Sequence, residues 1–390
     1  MARASVTPLS LTRREWLERL ALPALAAATV AGCGHRGAYV VERTAGRHRG
    51  RRRFVPVATD PGSVIRSSAG LRPYRAAGYR LDAENLHGKQ LIHHYGHGGA
   101  GMTLSWGTAN AAVGLLTGRA PGDAVAVIGG GVVGLSTALL LQRQGFSVTI
   151  YAAAFTPHTT SNASAATFYP SHVIAPEHAN DAFGGALEVA LRTSYHALQR
   201  LVGERYGVRW MDAYALSDGT AAASPPDLET RVHVRVVGGA SVELAKRDHP
   251  FAARQVTARR DLVIEPPIYL RALMDDFRAA GGRTVVRRFA TLEDVAQLAE
   301  RTVFNCTGLG ARTLVDDQAL QPARGQLCVL PPQPDVDYTL YHGDFYYMVP
   351  RKDGIILGGT FELGADSTRP DAATEKRLLQ AHAAVFDAMQ

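Results

Sequence analysis

The run Gly129-Gly130-Gly131-Val132-Val133-Gly134 has the G-x-G-x-x-G spacing that suits a pyrophosphate. Gly129 would permit a tight turn, Gly131 would let phosphate oxygens approach the backbone, and Gly134 would allow a helix to pack closely on a strand. A helix opening at Val132, with Val133 behind it, would offer free N–H groups and a positive dipole end to the phosphates. Dinucleotide binding is the chemistry to expect. Its usual companion is a carboxylate at the end of the second strand, gripping ribose hydroxyls. Here that stretch reads Tyr151-Ala152-Ala153-Ala154-Phe155, without an acid. The departure argues against a freely exchanging NAD more than against a deeply buried cofactor.

A site of this kind needs a strand, a turn, a helix and a second strand. The apolar run Ala124–Ile128 predicts the first strand, the pattern from Val132 to Gln144 the helix, and Ser147–Tyr151 the second strand. Before this unit, Ser63–Ser67 reads as a strand and Gly70-Leu71-Arg72-Pro73 as a turn. Leu91–His94 reads as a strand, followed by a glycine-rich loop from Gly96 to Gly101 and a helix from Thr103 to Leu116, closed by Gly118. Further helices are expected over Ala186–Val202, Tyr269–Ala280 and from Ala372 onward. Thr302–Asn305, Tyr346–Pro350 and Ile355–Gly359 read as strands, and the region from 185 to 265 suits a separate sheet.

Charge narrows the partners. The chain has 390 residues and a formal charge of +7, but residues 1–53 hold eleven arginines against three acids, so the rest comes to −1. A nucleic-acid-binding domain would carry the charge on its own fold, and no nucleic-acid partner is expected. The leader Thr12-Arg13-Arg14-Glu15-Trp16-Leu17 resembles a twin-arginine export signal, followed by an apolar stretch too short to span a bilayer. It ends in Val30-Ala31-Gly32-Cys33, which resembles a lipoprotein cleavage box with Cys33 as the lipidated residue. An exported, membrane-tethered, extracytoplasmic location follows as an expectation, with residues 34–53 as a disordered basic linker. Cys306 and Cys328 lie in apolar runs and read as core residues, with no metal site expected.

Several stretches together resemble one family. Tyr151–Phe155 continues into Thr156-Pro157-His158-Thr159-Thr160-Ser161, similar to the D-amino-acid oxidase pattern Y-A-D-R-F-T-P-x-T-T, with Ala153 and Ala154 in place of Asp and Arg. Asn305-Cys306-Thr307-Gly308, Gln321-Pro322-Ala323-Arg324-Gly325-Gln326, Tyr347-Met348-Val349-Pro350 and Leu357-Gly358-Gly359-Thr360-Phe361 match further motifs of that family. Gly70-Leu71-Arg72-Pro73, Arg80-Leu81-Asp82-Ala83-Glu84 and His94-Tyr95-Gly96-His97-Gly98-Gly99-Ala100-Gly101-Met102-Thr103, with Trp106-Gly107, match the motifs that close the family's C-terminal end. Here they precede the first nucleotide-binding strand, so the order resembles a circular permutation.

The resemblance implies an α/β fold with a Rossmann-like FAD-binding domain and a second, mixed-sheet substrate domain. The expected division is 1–33 export signal, 34–53 linker, 54–118 permuted segment, 123–184 FAD-binding βαβ unit and 185–265 substrate domain. Residues 266–320 would return to the FAD domain, and 321–390 would complete the substrate domain. FAD would contact Gly129, Gly131, Val132, Val133, Gly134, Thr159, Thr160, Ala165, Thr307 and Gly308, with Gly101, Met102 and Thr103 at the flavin edge. Arg72 would grip a substrate carboxylate with its planar fork, helped by the Tyr347 hydroxyl, while the Gly99 carbonyl would take the substrate amine. The dipole of the helix at Thr103 would stabilise negative charge on reduced flavin. His97 would shape its loop, and Gly343 stands where some members carry a lid tyrosine, leaving Tyr341, His342 or Tyr346 as substitutes.

The implied reaction is oxidation of a D-amino acid to its imino and 2-oxo acid, hydride passing to the flavin and then to O2 or another acceptor. Another flavin amine oxidase (for glycine, a secondary amine or an acidic D-amino acid) and a catalytically degenerate flavin-binding lipoprotein are the alternatives.

Overall fold

The computed structural model describes residues 52–165, 167–219, 226–238, 241–343 and 345–390. The export signal, Cys33 and nearly all of the basic linker lie outside these residues. In chain order the elements are β1 (Arg66–Arg75), β2 (Arg80–Leu86), β3 (Lys89–Tyr95), α1 (Gly101–Val113), β4 (Ala124–Ile128), α2 (Val132–Arg143) and β5 (Ser147–Ala152). Next come α3 (Asp181–Gln199), β6 (Val208–Ser217), α4 (Leu228–Val237), β7 (Val242–Glu243), β8 (Gln255–Ile264), α5 (Pro266–Ala279), β9 (Arg283–Val286), α6 (Leu292–Ala296) and β10 (Thr302–Asn305). The chain closes with α7 (Ala311–Leu314), β11 (Leu320–Leu330), β12 (Tyr338–His342), β13 (Tyr346–Arg351), β14 (Gly354–Gly358), β15 (Glu362–Leu363) and α8 (Ala372–Asp387).

Six strands form one sheet in the order β2-β3-β10-β4-β5-β9, parallel except for the edge strand β2. Its middle strand β4 is a continuous apolar run and β10 is buried at every residue, as strands covered on both faces must be. The chain leaves β4 toward β5 on one side, while β10 fills the other side. That reversal makes a crevice at the C-terminal ends of β4 and β10, where open α/β sheets bind ligands.

The second sheet has the order β1-β11-β14-β13-β12-β6-β8-β7, with β15 also paired to β11. The segment before β4 therefore divides: β1 joins this sheet, and β2 and β3 join the first. Strand β1 pairs along its whole length with β11, from Arg66 opposite Val329 to Arg75 opposite Leu320.

The expected strand at Ser63–Ser67 and turn at Gly70–Pro73 are both corrected by this pairing. A short turn occupies Pro61–Ser63, and β1 runs straight through Gly70 and Pro73. Pro73 lies opposite Pro322, so two residues without an N–H share one rung of the ladder. A side chain at Gly70 would meet the Ala163 methyl at 2.9 Å, so this glycine admits a neighbour instead of bending the chain. Helix α1 also ends earlier than expected, at Val113 with Gly114 as its cap. Helix α3 starts earlier, because the Asn180 side chain accepts from the Phe183 amide at 3.0 Å.

Order begins before the expected end of the linker. Arg52 pairs with Asp212 and, at 2.6 Å, with Asp337, and its guanidinium lies over the rings of Phe54 and Tyr214. Phe54 packs edge-on against Phe251, 5.2 Å between ring centres. The Gln390 amide donates to the Pro250 carbonyl at 3.1 Å. Residues 52–55 and 389–390 thus meet at the same loop, over a core that includes Tyr214, Phe251, Tyr338, Met348 and Phe386.

Candidate active site

A cavity of about 1470 Å³ opens at the ends of β4 and β10 and extends to residues of β1, β11, β12 and β13. Pockets for a single small ligand measure roughly 300–1,000 Å³, so a dinucleotide and a small substrate can share this space.

At one end, the glycine turn folds as its spacing requires. Gly129 has φ +127°, and a side chain there would come within 2.2 Å of the Cys306 carbonyl. The Val132 amide donates to Ser161 Oγ at 3.0 Å, and Gly129, Gly131, Val132 and Val133 all line the cavity. Gly134 does not line it. A side chain at Gly134 would sit 2.0 Å from the Gly129 carbonyl, so this glycine seats α2 on the turn and touches no ligand space. Thr159, Thr160, Ala165, Thr307 and Gly308 complete this wall, with the Thr307 hydroxyl donating to Asn305 at 2.7 Å.

Helix α1 opens into the same cavity from the other side. Its first residues Gly101, Met102 and Thr103 line the space, and no side chain caps its start. The Thr103 hydroxyl donates to the Tyr169 carbonyl at 3.0 Å, fixing the first turn. Two helix N-termini, α1 and α2, therefore face one chamber with their partial positive ends. Those ends and the side-chain-free turn at Gly129–Gly131 fit an anionic dinucleotide. Beyond β5, Ala153 and Ala154 line the cavity and are exposed, with Arg287 and Arg288 beside them. Neither arginine carries a signal in the sequence, because their place in the cavity wall depends on β9 pairing with β5.

At the far end Arg72 lies across Gly325, where an added side chain would strike its guanidinium at 2.3 Å. Tyr347 lies across Gly358 in the same way, its hydroxyl 2.3 Å from the position of an added side chain. Glycine on two neighbouring strands thus makes room for one cation and one phenol. Burial pushes the phenol's pKa above its usual range, and the nearby Arg72 charge opposes that rise. Arg72 Nη1 is buried without a hydrogen-bond partner among the described residues. A buried guanidinium with an unpartnered nitrogen suits a carboxylate. Gly99 packs close by, the position of an added side chain being 3.5 Å from Arg72 Cδ.

His97 is buried and hydrogen-bonded to Thr108 at 2.9 Å, with burial pushing its pKa down to about 3, which leaves it neutral and structural. Of the expected lid substitutes, Tyr341 donates to Asp261 at 2.8 Å, and Arg259 clamps the same carboxylate. Tyr346 stacks on His342. Gly343 has φ +56° and turns the chain between these strands. The sequence reading did not single out His172, Phe345 or Glu229, all of which line the cavity. Among the described residues no group of His, Cys, Asp and Glu is placed to hold a metal ion.

Residues 124–389 match the family model described as FAD dependent oxidoreductase. The D-amino-acid oxidase of Rubrobacter xylanophilus is 32% identical over 270 residues, covering 68% of this chain and 77% of its own length. That of Streptomyces coelicolor is 33% identical over 270 residues, covering 67% and 77%. The human D-aspartate oxidase is 30% identical over 269 residues, covering 65% and 73%. The crystal structure of glycine oxidase from Geobacillus kaustophilus shares the fold, with a TM-score of 0.52 at 20% identity over 68% of this chain and 79% of that one.

Proposed function

This chain belongs to the family of FAD-dependent oxidoreductases, and on that premise we propose that it oxidises the Cα–N bond of a D-amino acid to an imine. FAD would be held by the turn at Gly129–Gly131, Thr159, Thr307 and the starts of the helices at Gly101 and Val132, and would supply the two-electron acceptor for this oxidation, with O2 or another acceptor as the final oxidant. The chain's own part is to bind and orient. Arg72 and Tyr347 hold the carboxylate, and the Gly99 carbonyl receives the amine. The amides at the start of α1 stabilise negative charge gathered at the cofactor edge. The observation that carries this reading is the Arg72–Tyr347 pair facing the same cavity as the glycine turn and both helix starts.

The permuted order belongs to the same proposal. It is supported by the family match beginning at Ala124, the first residue of β4, while β1 and the loop 96–101 precede it and still line the cavity. The meeting of residues 52–55 with 389–390 supports it further, since ends that touch can be joined or opened. Export on a twin-arginine signal and a lipid tether at Cys33 are the location that the leader's residues support.

The test is anaerobic addition of D-alanine, then L-alanine, to the purified protein while its visible spectrum is followed. Bleaching by the D form alone is expected, and Arg72→Leu should keep the yellow spectrum but lose the bleaching. A yellow wild-type protein that no D-amino acid bleaches would overturn the reading.

A further inference from the structure

His172 stands in an irregular loop that the chemistry described above does not use. The loop Pro170–His172 lies against the glycine segment of the substrate end: a side chain at Gly98 would come within 1.8 Å of the His172 carbonyl, and one at Gly99 within 2.6 Å of Ser171 Oγ. His172 itself has φ +54°, a left-handed conformation that a non-glycine residue adopts only where its surroundings hold it there.

What holds it is an aromatic frame. The imidazole stacks on Phe361, 4.1 Å between centres and 8° from parallel, and Phe345 meets it edge-on at 5.0 Å. The Arg72 guanidinium carbon is 5.8 Å from the centre of the same Phe361 ring. The histidine is thereby fixed next to the carboxylate anchor. Among the described residues neither ring nitrogen has a hydrogen-bond partner, and Nδ1 is buried. The charged groups that act on it are Arg72 and Asp227; elsewhere in the cavity wall Tyr341 and Arg259 engage Asp261, and Glu229 accepts the amides of Val173 and Ile174. A polar ring fixed in place and left unpaired calls for a ligand atom. Burial and the nearby Arg72 charge hold its pKa down at about 4, so near neutral pH it offers one donor nitrogen and one acceptor.

We propose that His172 is a specificity-determining residue: its ring takes a hydrogen-bonding group on the side chain of the amino acid anchored by Arg72. Substrates with a short polar side chain are then preferred to apolar ones of the same shape. The inference rests on the amino-acid oxidase reading and names the substrate class of that site.

D-asparagine and D-leucine, nearly equal in shape, make the test. The holoenzyme should favour D-asparagine in kcat/KM by at least about tenfold, as a site built for hydrogen bonding does. His172→Phe keeps a ring to stack on Phe361 and should abolish or reverse that preference through KM, leaving the flavin spectrum intact. His172→Asn tolerates the left-handed backbone and decides the matter if the Phe variant does not fold. It should likewise lose most of the preference. Calorimetric titration supplies a readout independent of turnover: succinate should bind the wild type at least about tenfold more tightly than butyrate, and equally to the Phe variant. Equal use of D-asparagine and D-leucine by the wild type, or an unchanged ratio in both variants, overturns the proposal. If no D-amino acid is oxidised, the oxidase reading fails, and the succinate-to-butyrate ratio still decides the role of His172.

Discussion

Ala153 is exposed at the end of β5, beside Arg287 and Arg288, where a dinucleotide-binding strand usually ends in a carboxylate. Without that acid the ribose hydroxyls lose a charged hydrogen bond, an interaction of roughly 1.5–3 kcal/mol. Ala153→Asp should therefore tighten FAD binding by about tenfold or more, read from fluorescence quenching as the apoprotein is titrated with FAD. At this scale the glycine turn was legible because it is a spaced motif with a chemical purpose, whereas Arg72 and Tyr347 were legible only through the family pattern around them. His172 was not: it is one residue in an irregular loop, and its meaning depends on Phe361, from the chain beyond β14, and on Arg72, from β1. Gly134 takes the packing role that its spacing predicts and lies outside the cavity, where the family resemblance had also placed it at the cofactor.

Among the elements, α4 is tied to the substrate-side loop by one carboxyl group. Glu229 accepts the amides of Val173 and Ile174, while burial raises its pKa from an ordinary 4.5 to about 7. The folded protein then binds this proton more tightly than the unfolded chain does. Its stability should fall as pH rises from about 4.5 to about 7 and level off above that. Glu229→Gln should flatten that slope, measured by thermal melts across the interval. Helix α1 is held differently, by backbone contact with α3: a side chain at Gly107 would lie 1.9 Å from the Ala190 carbonyl. Gly107→Ala should push the two helices apart and cost roughly 1–3 kcal/mol, seen as a lower denaturant midpoint. The strands and helix around the glycine turn could be read to within a residue or so, because strong periodicity and burial agree there. The turn read at Gly70–Pro73 failed because glycine and proline also serve a strand whose partner, β11, is distant in sequence.

For the whole molecule, the order of segments is separable from the fold. If residues 54 and 390 are neighbours across the Phe251 loop, a short linker should join them and a break between Gly118 and Asp123 should open the chain elsewhere. The rearranged protein should fold and show the same flavin spectrum, and near-ultraviolet circular dichroism would check its packing. The two sheets and their division of labour were visible in the sequence only through the family pattern. Composition and periodicity say nothing of which strand lies beside which. The pairing of β1 with β11 has one more consequence, for the chain while it is being made. The strand bearing Arg72 leaves the ribosome long before the strand that must receive it, which ends at Leu330. Until then β1 has no partner edge, and closing so long a loop carries an entropy cost that local pairing would avoid. Folding of the substrate end must therefore wait until Leu330 has been made, whereas the glycine turn and its helix can form well before that.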